Sequence, residues 1–202
     1  MKKISLFVLL FLITLAFVGC KGSDESNSKK ITEEFGRKVY AVDVAKVSEY
    51  KKLVVAGESR DVRDIIGSEG TKKANKSEQE KYNKIIQSFD KNIQNLMTKE
   101  GYESFVENRF NTLSAKVCDK GNYTLQVTDF ILEKNLYSAK EDKAGYSYEA
   151  KLKFISTDGK NERTDIAKGY IGLLKENGQW KVSIYRFETY PKLYKEILIN
   201  EL

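Results

Sequence analysis

The sequence predicts an α+β fold in which N-terminal helices pack on a four-stranded antiparallel sheet, with a short helix at the C-terminus. Three observations support this prediction. Apolar residues recur at three- and four-residue steps before Gly121, alternate with polar residues after it, and Asn177-Gly178 separates the last two alternating segments. A run of helices followed by a run of strands is typical of α+β domains. We therefore expect one layer of helices on one face of the sheet.

The helical half is predicted to contain three longer helices. The first covers residues 32–56, where Thr32 can cap the N-terminus and Gly57 ends the pattern. A short helix and a polar connection are predicted over 58–76. The second long helix begins with Ser77-Glu78-Gln79-Glu80, which has capping-box spacing. Its apolar stripe contains Tyr82, Ile85, Ile86, Phe89, Ile93, Leu96 and Met97. A third helix is predicted from Tyr102 to about Val117.

The second half is predicted to form a meander of four strands. Alternation of apolar and polar side chains indicates half-buried strands over 123–128, 146–154 and 166–174. The fourth strand covers 179–188, after Asn177-Gly178, a strong two-residue hairpin signal. Pro191 suits the first turn of a final helix. We expect this helix to pack on its own domain; the alternative is that it presents an apolar stripe to a partner chain, a second copy or the membrane surface.

The segment GYIGLLKENGQWKVSIYRF, residues 169–187, resembles the last two strands of nuclear-transport-factor-2-like domains. The resemblance extends over roughly residues 32–190. It implies that the sheet is strongly curved and that helices and sheet form a cone around a cavity. The family includes isomerases and cyclases that use an Asp or His in the cavity as acid or base. It also includes non-catalytic binding and assembly modules.

The N-terminus predicts export and anchoring. Lys2 and Lys3 precede an apolar run, Leu6 to Val18, that is too short to span a membrane but suits a signal peptide. Gly19-Cys20 follows, and the whole resembles the lipobox of bacterial lipoproteins. The resemblance implies cleavage after residue 19 and lipid chains, palmitate among them, on Cys20. We therefore expect a signal peptide over 1–19, a flexible tether over 20–31 and a single domain over 32–202 at the outer face of the cell membrane.

Composition excludes several kinds of chemistry. The chain has no histidine, which removes the commonest general base and every His-based zinc site. The net charge is +6, and about +4 without Lys2 and Lys3 of the predicted signal peptide. This charge suits residence beside anionic lipid or wall polymer, but no basic stripe indicates nucleic-acid binding. Cys118 is the only cysteine besides Cys20, so we expect a buried thiol and no intrachain disulfide. No cofactor or metal site is predicted.

Aromatic side chains in the strands provide the candidate ligand contacts. Tyr and Trp combine an apolar body with a polar group, so Tyr148, Tyr170 and Trp180 are the predicted ligand-binding residues. Alternatively, the aromatic residues simply fill the core. The first functional hypothesis is a non-enzymatic module tethered to the membrane that binds a protein or wall polymer. The second is a small-ligand carrier or acid/base enzyme using the cone cavity, with Asp129 or Asp165 as base.

Overall fold

In a computed structural model, the chain is described over residues 24–64, 71–135 and 142–199. The predicted signal peptide and Cys20 lie outside these residues. The described residues form six helices and one sheet. Their bounds are α1 over 24–40, α2 Val44–Asp64, α3 Thr71–Gln94, α4 Lys99–Glu107, α5 Phe110–Gly121 and α6 Lys192–Ile197. The α+β prediction is confirmed.

The sheet is an antiparallel meander in the order β1-β2-β3-β4. Its strands are β1 Tyr123–Lys134, β2 Lys143–Ser156, β3 Glu162–Glu176 and β4 Gln179–Thr189. Each is longer than the alternation alone predicted. Asn177 and Gly178 both have positive φ, 49° and 79°, as a two-residue hairpin with primed-turn geometry requires. Trp180 and Phe89 are buried, at 8% and 7% exposure, as an apolar core predicts.

The predicted tether over 20–31 differs from the structure in its described part. Residues 24–31 are helical and belong to α1. The Ser28 hydroxyl lies 2.7 Å from the Tyr146 hydroxyl in the core, and Asp24 contacts β3 and β4. Polar composition suggested a segment without a core, but these polar side chains each have a specific partner on the sheet.

The predicted helix over 32–56 is interrupted at residues 41–43. Val42 leaves the helix and exchanges two backbone hydrogen bonds, of 2.9 and 2.8 Å, with Leu125 on the free edge of β1. Met97 forms a parallel bridge to Val182 on the free edge of β4, where the hydrogen bonds are made by the flanking Leu96 and Thr98. Each outer strand is therefore partly covered by a connection between helices, which limits edge-to-edge pairing.

Two further helix predictions need correction. The segment over 58–76 was expected to be a short helix and a polar connection, but α2 continues to Asp64 and α3 begins at Thr71. The two long helices pack on each other, and this contact extends them past the local signals. The helix expected from Tyr102 to Val117 is divided into α4 and α5 by Arg109, whose φ is 59°.

The core lies between α1 and the concave face of the sheet. A close approach at Gly36 makes this packing dense, because a Cβ there would lie 2.0 Å from the Phe130 ring. The last helix packs on its own domain, as expected. Leu193, Tyr194 and Leu198 are buried, and the Tyr194 hydroxyl donates to Ser114 Oγ at 2.8 Å.

Candidate functional site

The concave face of the sheet is filled by aromatic rings. Neighbouring ring centroids lie between 5.3 and 6.3 Å apart, mostly in edge-to-face or tilted pairs. This aromatic cluster contains Phe35, Tyr40, Phe105, Phe110, Phe130, Tyr148, Tyr185 and Phe187. The rings come from α1, α4, α5 and three strands. They occupy the space in which a cone-shaped cavity was expected.

Three tyrosines in this cluster form a closed ring of hydroxyl groups. Tyr40 and Tyr148 hydroxyl oxygens are 2.9 Å apart, and Tyr185 lies 3.2 Å from Tyr148 and 3.1 Å from Tyr40. Burial raises the pKa of Tyr148 to about 12 and raises the pKa of Tyr40 and of Tyr185 well above the ordinary value. Each hydroxyl can donate once and accept once within this tyrosine triad. The phenols are therefore neutral near pH 7 and do not act as bases there.

The three predicted ligand-binding residues do not meet. Tyr148 belongs to the triad, and Trp180 is buried at the end of the sheet where its indole N–H donates to Asp24 Oδ1 at 3.2 Å. Tyr170 is half-buried on the opposite face, beside Gly172 and Ile184. Strand alternation places Tyr170 on the face opposite Tyr148, because even-numbered residues of β2 and odd-numbered residues of β3 point inward. Trp180 is separated from the triad along the sheet, five residues before Tyr185 on β4.

Asp129 and Asp165, proposed above as bases, are both engaged in structural contacts. Asp129 Oδ2 lies 3.0 Å from Lys151 Nζ, and this lysine holds the pKa of Asp129 below its ordinary value. Asp165 Oδ2 accepts a 3.0 Å hydrogen bond from the backbone N–H of Leu193 at the start of α6. Neither carboxylate is placed as a base among the tyrosines, so this prediction is wrong for both residues.

A buried carboxylate does exist on α3, at a position the sequence analysis did not select. Asp90 is 0% exposed, and its Oδ2 accepts from Asn111 Nδ2 at 2.7 Å and from the Tyr102 hydroxyl at 3.2 Å. Oδ1 has no partner in the described protein. Burial raises the pKa of Asp90 despite these two donors and the nearby charge of Lys46. A signal was present, because Asp90 falls within the apolar stripe, four residues after Ile86 and three before Ile93.

A surface cleft of about 810 Å³ lies beside the start of β1. Its walls are the end of α1, the start of α2, the end of α3 and strand residues Thr124–Val127. Apolar lining comes from Val42, Val44, Phe89, Ile93, Leu125 and Val127, and polar lining from Arg37, Lys38, Asp43, Lys46, Glu49, Asn92 and Gln126. We call this the β1 cleft. Its volume falls in the range of ligand-binding sites.

Charged side chains around the β1 cleft are held in fixed places. Arg37 is paired with Glu33 at 2.9 Å, and its Nη1 donates to the carbonyl of Val127 at 3.3 Å. Lys46 Nζ lies 5.1 Å from the centre of the Phe89 ring, and burial lowers its pKa. Val44 is 68% exposed at the rim. The cleft therefore offers an apolar floor, an exposed apolar side chain and cations beside acidic groups.

A second, smaller cavity of about 380 Å³ lies at the mouth of the aromatic cluster. Phe105, Phe110, Tyr185, Phe187 and Tyr190 line it, together with Ser104, Asn108 and Arg186. We call it the aromatic pocket. Its aromatic lining matches what was expected of the predicted interior cavity, but it lies at the mouth of the cluster.

The described residues contain neither a cluster of metal-binding side chains nor a reactive thiol. No group of three or more Asp, Glu, Cys or His side chains in these ranges is placed to hold a metal ion. Cys118 is buried, as predicted, and burial raises its pKa to about 12, so its thiol is protonated near pH 7. Across residues 24–64, 71–135 and 142–199, no helix is both long and apolar enough to cross a membrane.

Comparison with known proteins identifies similar structures but no family by sequence. No family model matches the chain, and no curated protein matches it. Solved structures with similarity include Rv3472, a function-unknown protein of Mycobacterium tuberculosis, at 14% identity, 51% coverage of this chain and TM-score 0.34. This chain spans 62% of that protein. The association domain of C. elegans CaMKII is 14% identical, and the match covers 59% of this chain and 98% of that domain, with a TM-score of 0.34. An NTF2-like superfamily protein of Salmonella enterica is 11% identical, and the match covers 52% of this chain and 82% of that protein, with a TM-score of 0.34.

Proposed function

We propose that this chain is a lipid-anchored binding module at the outer face of the cell membrane, and that the β1 cleft is its contact surface. The observation that carries the proposal is the packing of the aromatic cluster. Eight rings and a closed hydroxyl ring occupy the concave face, whereas the larger open cavity lies at the surface. A site at the surface suits a protein segment or a polymer chain better than a small enclosed substrate.

The composition of the β1 cleft indicates which partner it fits. Val44 is exposed, while Val42, Phe89 and Leu125 beneath it are buried and form a firm floor. Arg37 and Lys46 are held in place by Val127 and Phe89. Apolar floor and polar rim are the ordinary anatomy of protein interfaces. We infer that a protein segment with an apolar anchor and acidic neighbours is the preferred occupant, with anionic wall polymer as the competing partner.

The contact surface is tested by photo-crosslinking in living cells. A photoreactive amino acid is placed at Gln126 or Ala45, both in the β1 cleft, and at Glu188 as the matched control, because Glu188 is exposed on β4 at the opposite edge of the sheet. The proposal expects a discrete adduct from the two cleft positions and none from Glu188. Adducts of equal yield from all three positions, or from Glu188 alone, would contradict it.

The anchor is tested separately. Cys20→Ala is expected to release the protein from membranes or to leave an unprocessed precursor. Cys118→Ala is the control and leaves membrane attachment unchanged, because its thiol is buried. A mature N-terminus at another residue, or an unmodified Cys20 by mass spectrometry, refutes the anchored part of the proposal.

The aromatic pocket supports a second candidate, a carrier of small apolar ligands. Its volume of about 380 Å³ lies within the range of small-molecule sites, and aromatic side chains line it. Phe110→Ala enlarges this pocket without touching the β1 cleft. A carrier would change its affinity for an apolar fluorescent probe in this variant, while a cleft-binding module would keep its crosslinking pattern.

A further inference from the structure

The N-terminal end of α1 is clamped to one end of the sheet. Asp24 forms an ion pair with Lys175 at 2.6 Å and accepts from the Trp180 indole at 3.2 Å. Glu25 is paired with Lys134 at 2.7 Å. These partners lie at the end of β1 and beside the turn between β3 and β4. We call this the hairpin end of the sheet, and the opposite end, with the Asp158-Gly159 turn and α6, the distal end.

The clamp shortens the reach between the lipid-bearing cysteine and the domain. Only four residue steps separate Cys20 from Asp24. A fully extended chain of this length spans roughly 14 Å. A flexible tether as far as Lys30 would instead span roughly 33–36 Å. The difference is about 20 Å, roughly two thirds of the diameter of a small domain. The clamp therefore limits how freely the domain can turn above the bilayer.

We propose that the hairpin end is the surface of the domain that faces the lipid bilayer; this inference rests on the lipidation of Cys20 in the proposed function. The distal end is far from the bilayer, because β2 has 14 residues and so spans about 43 Å. Asp24 and Glu25 are each neutralised by a lysine, so the acidic residues nearest to the anchor do not oppose approach to anionic lipid.

This orientation also places the β1 cleft. Arg37 follows Asp24 by thirteen residues of α1, which is about 20 Å along a helix axis. Helix α1 therefore acts as a rigid spacer between the anchor and the cleft. The cleft opens above the bilayer, where a partner in the envelope can reach it.

Depth-dependent fluorescence quenching tests the orientation. The mature lipidated protein is labelled at Asn177→Cys or, in a second sample, at Asp158→Cys, both in exposed turns. Cys118 is buried and does not compete for the label. Each sample is placed in vesicles of phosphatidylglycerol and phosphatidylcholine that carry a spin-labelled headgroup. We expect the spin label to quench the fluorophore at position 177 and to leave the fluorophore at position 158 unquenched.

A linker variant serves as the control. An insert of roughly 12 Gly and Ser residues after Gly22 adds about 40 Å of reach and leaves α1 unchanged. Quenching at position 177 is then expected to fall to the level at position 158. Equal quenching at both positions with the native tether, or stronger quenching at position 158, overturns the proposal. Mass spectrometry separates the two failures: a lipidated Cys20 with equal quenching refutes only the orientation, whereas an unmodified Cys20 refutes the anchored function.

Discussion

The hydroxyl oxygens of Tyr40 and Tyr148 lie 2.9 Å apart, although the two residues are 108 positions apart in the chain. Tyr185 closes the ring from β4. Helix α1, β2 and β4 thus meet at one buried polar point inside an aromatic cluster. Buried hydroxyl groups require partners, so the ring fixes the position of α1 on the sheet more narrowly than apolar packing alone.

Removing one hydroxyl should therefore leave the others incompletely bonded. We expect Tyr40→Phe to lower the free energy of unfolding by about 1–3 kcal/mol, the cost of an unsatisfied buried polar group. The measurement is urea denaturation followed by circular dichroism. Tyr170→Phe is the matched control, because Tyr170 is half-buried on the outer face, and a change below about 0.5 kcal/mol is expected. Equal effects of the two substitutions would show that the ring of three hydroxyl groups does not contribute to the free energy of unfolding.

Alkaline pH should weaken the fold through the same tyrosines. An unfolded tyrosine has a pKa near 10. Burial raises the pKa of Tyr148 to about 12 and raises that of Tyr40 and Tyr185 as well, so the folded chain keeps protons that the unfolded chain loses. The contribution of these tyrosines to the free energy of unfolding is constant below about pH 10, and it falls as pH rises above that value. Absorbance at 295 nm should show these tyrosines ionising only together with loss of the near-ultraviolet dichroism signal.

The contact between Asp24 and Trp180 gives an optical test of the clamp. Trp180 is the only tryptophan, so its emission reports on the hairpin end alone. Asp24→Ala removes the acceptor of the indole N–H and the partner of Lys175. We expect a red shift of the emission maximum and stronger quenching by iodide, since water reaches the ring.

Asn27→Ala is the control for this experiment, because Asn27 is an exposed residue on the same helix. Its emission spectrum should match that of the unmodified protein. An unchanged spectrum in Asp24→Ala would show that the clamp is not formed in solution, and it would also remove the basis for the proposed orientation at the membrane.

Local sequence signals were sufficient for the sheet. Alternation and the Asn177-Gly178 turn predicted all four strands and their order, because a meander depends on contacts between neighbours in the chain. The break in the first helix at Val42 was not predictable in this way. It exists because Val42 pairs with Leu125, a partner far along the sequence. The same holds for the start of α1, where Asp24, Glu25 and Ser28 have partners on the sheet that no local pattern reveals.

The candidate site was predicted less well than the fold. Strand alternation placed Tyr148 on the buried face of β2. The aromatic content of the strands could not separate a filled interior from an open one. That distinction depends on how rings from α1, α4 and β4 fit together. The β1 cleft was missed altogether, since it forms where Val42 turns out of the helix beside Leu125. Tertiary packing, rather than any motif, produces it.

Asp90 leads to a prediction for the acid side of the pH range. Its carboxylate is fully buried, with Tyr102 and Asn111 as donors to one oxygen and none to the other among the described residues. Burial raises the pKa of Asp90 against the opposing effects of these donors and of Lys46. An unfolded Asp has a pKa near 3.9. Above that pH, Asp90 loses its proton in the unfolded chain but keeps it in the folded chain. The contribution of Asp90 therefore lowers the free energy of unfolding as pH rises from about 4 toward neutrality.

Asp90→Asn removes the ionisable group and should remove this part of the pH dependence. We expect the stability of the variant, relative to the unmodified protein, to increase between pH 4 and pH 7 by about 1.4 kcal/mol for each unit by which the pKa of Asp90 is raised. Urea midpoints at both pH values measure it. Tyr102→Phe is the matched variant, because it removes a donor that lowers the pKa of Asp90, and it should make stability fall more steeply with pH. Parallel pH profiles for all three proteins would show that Asp90 is ionised as readily in the folded chain as in the unfolded one.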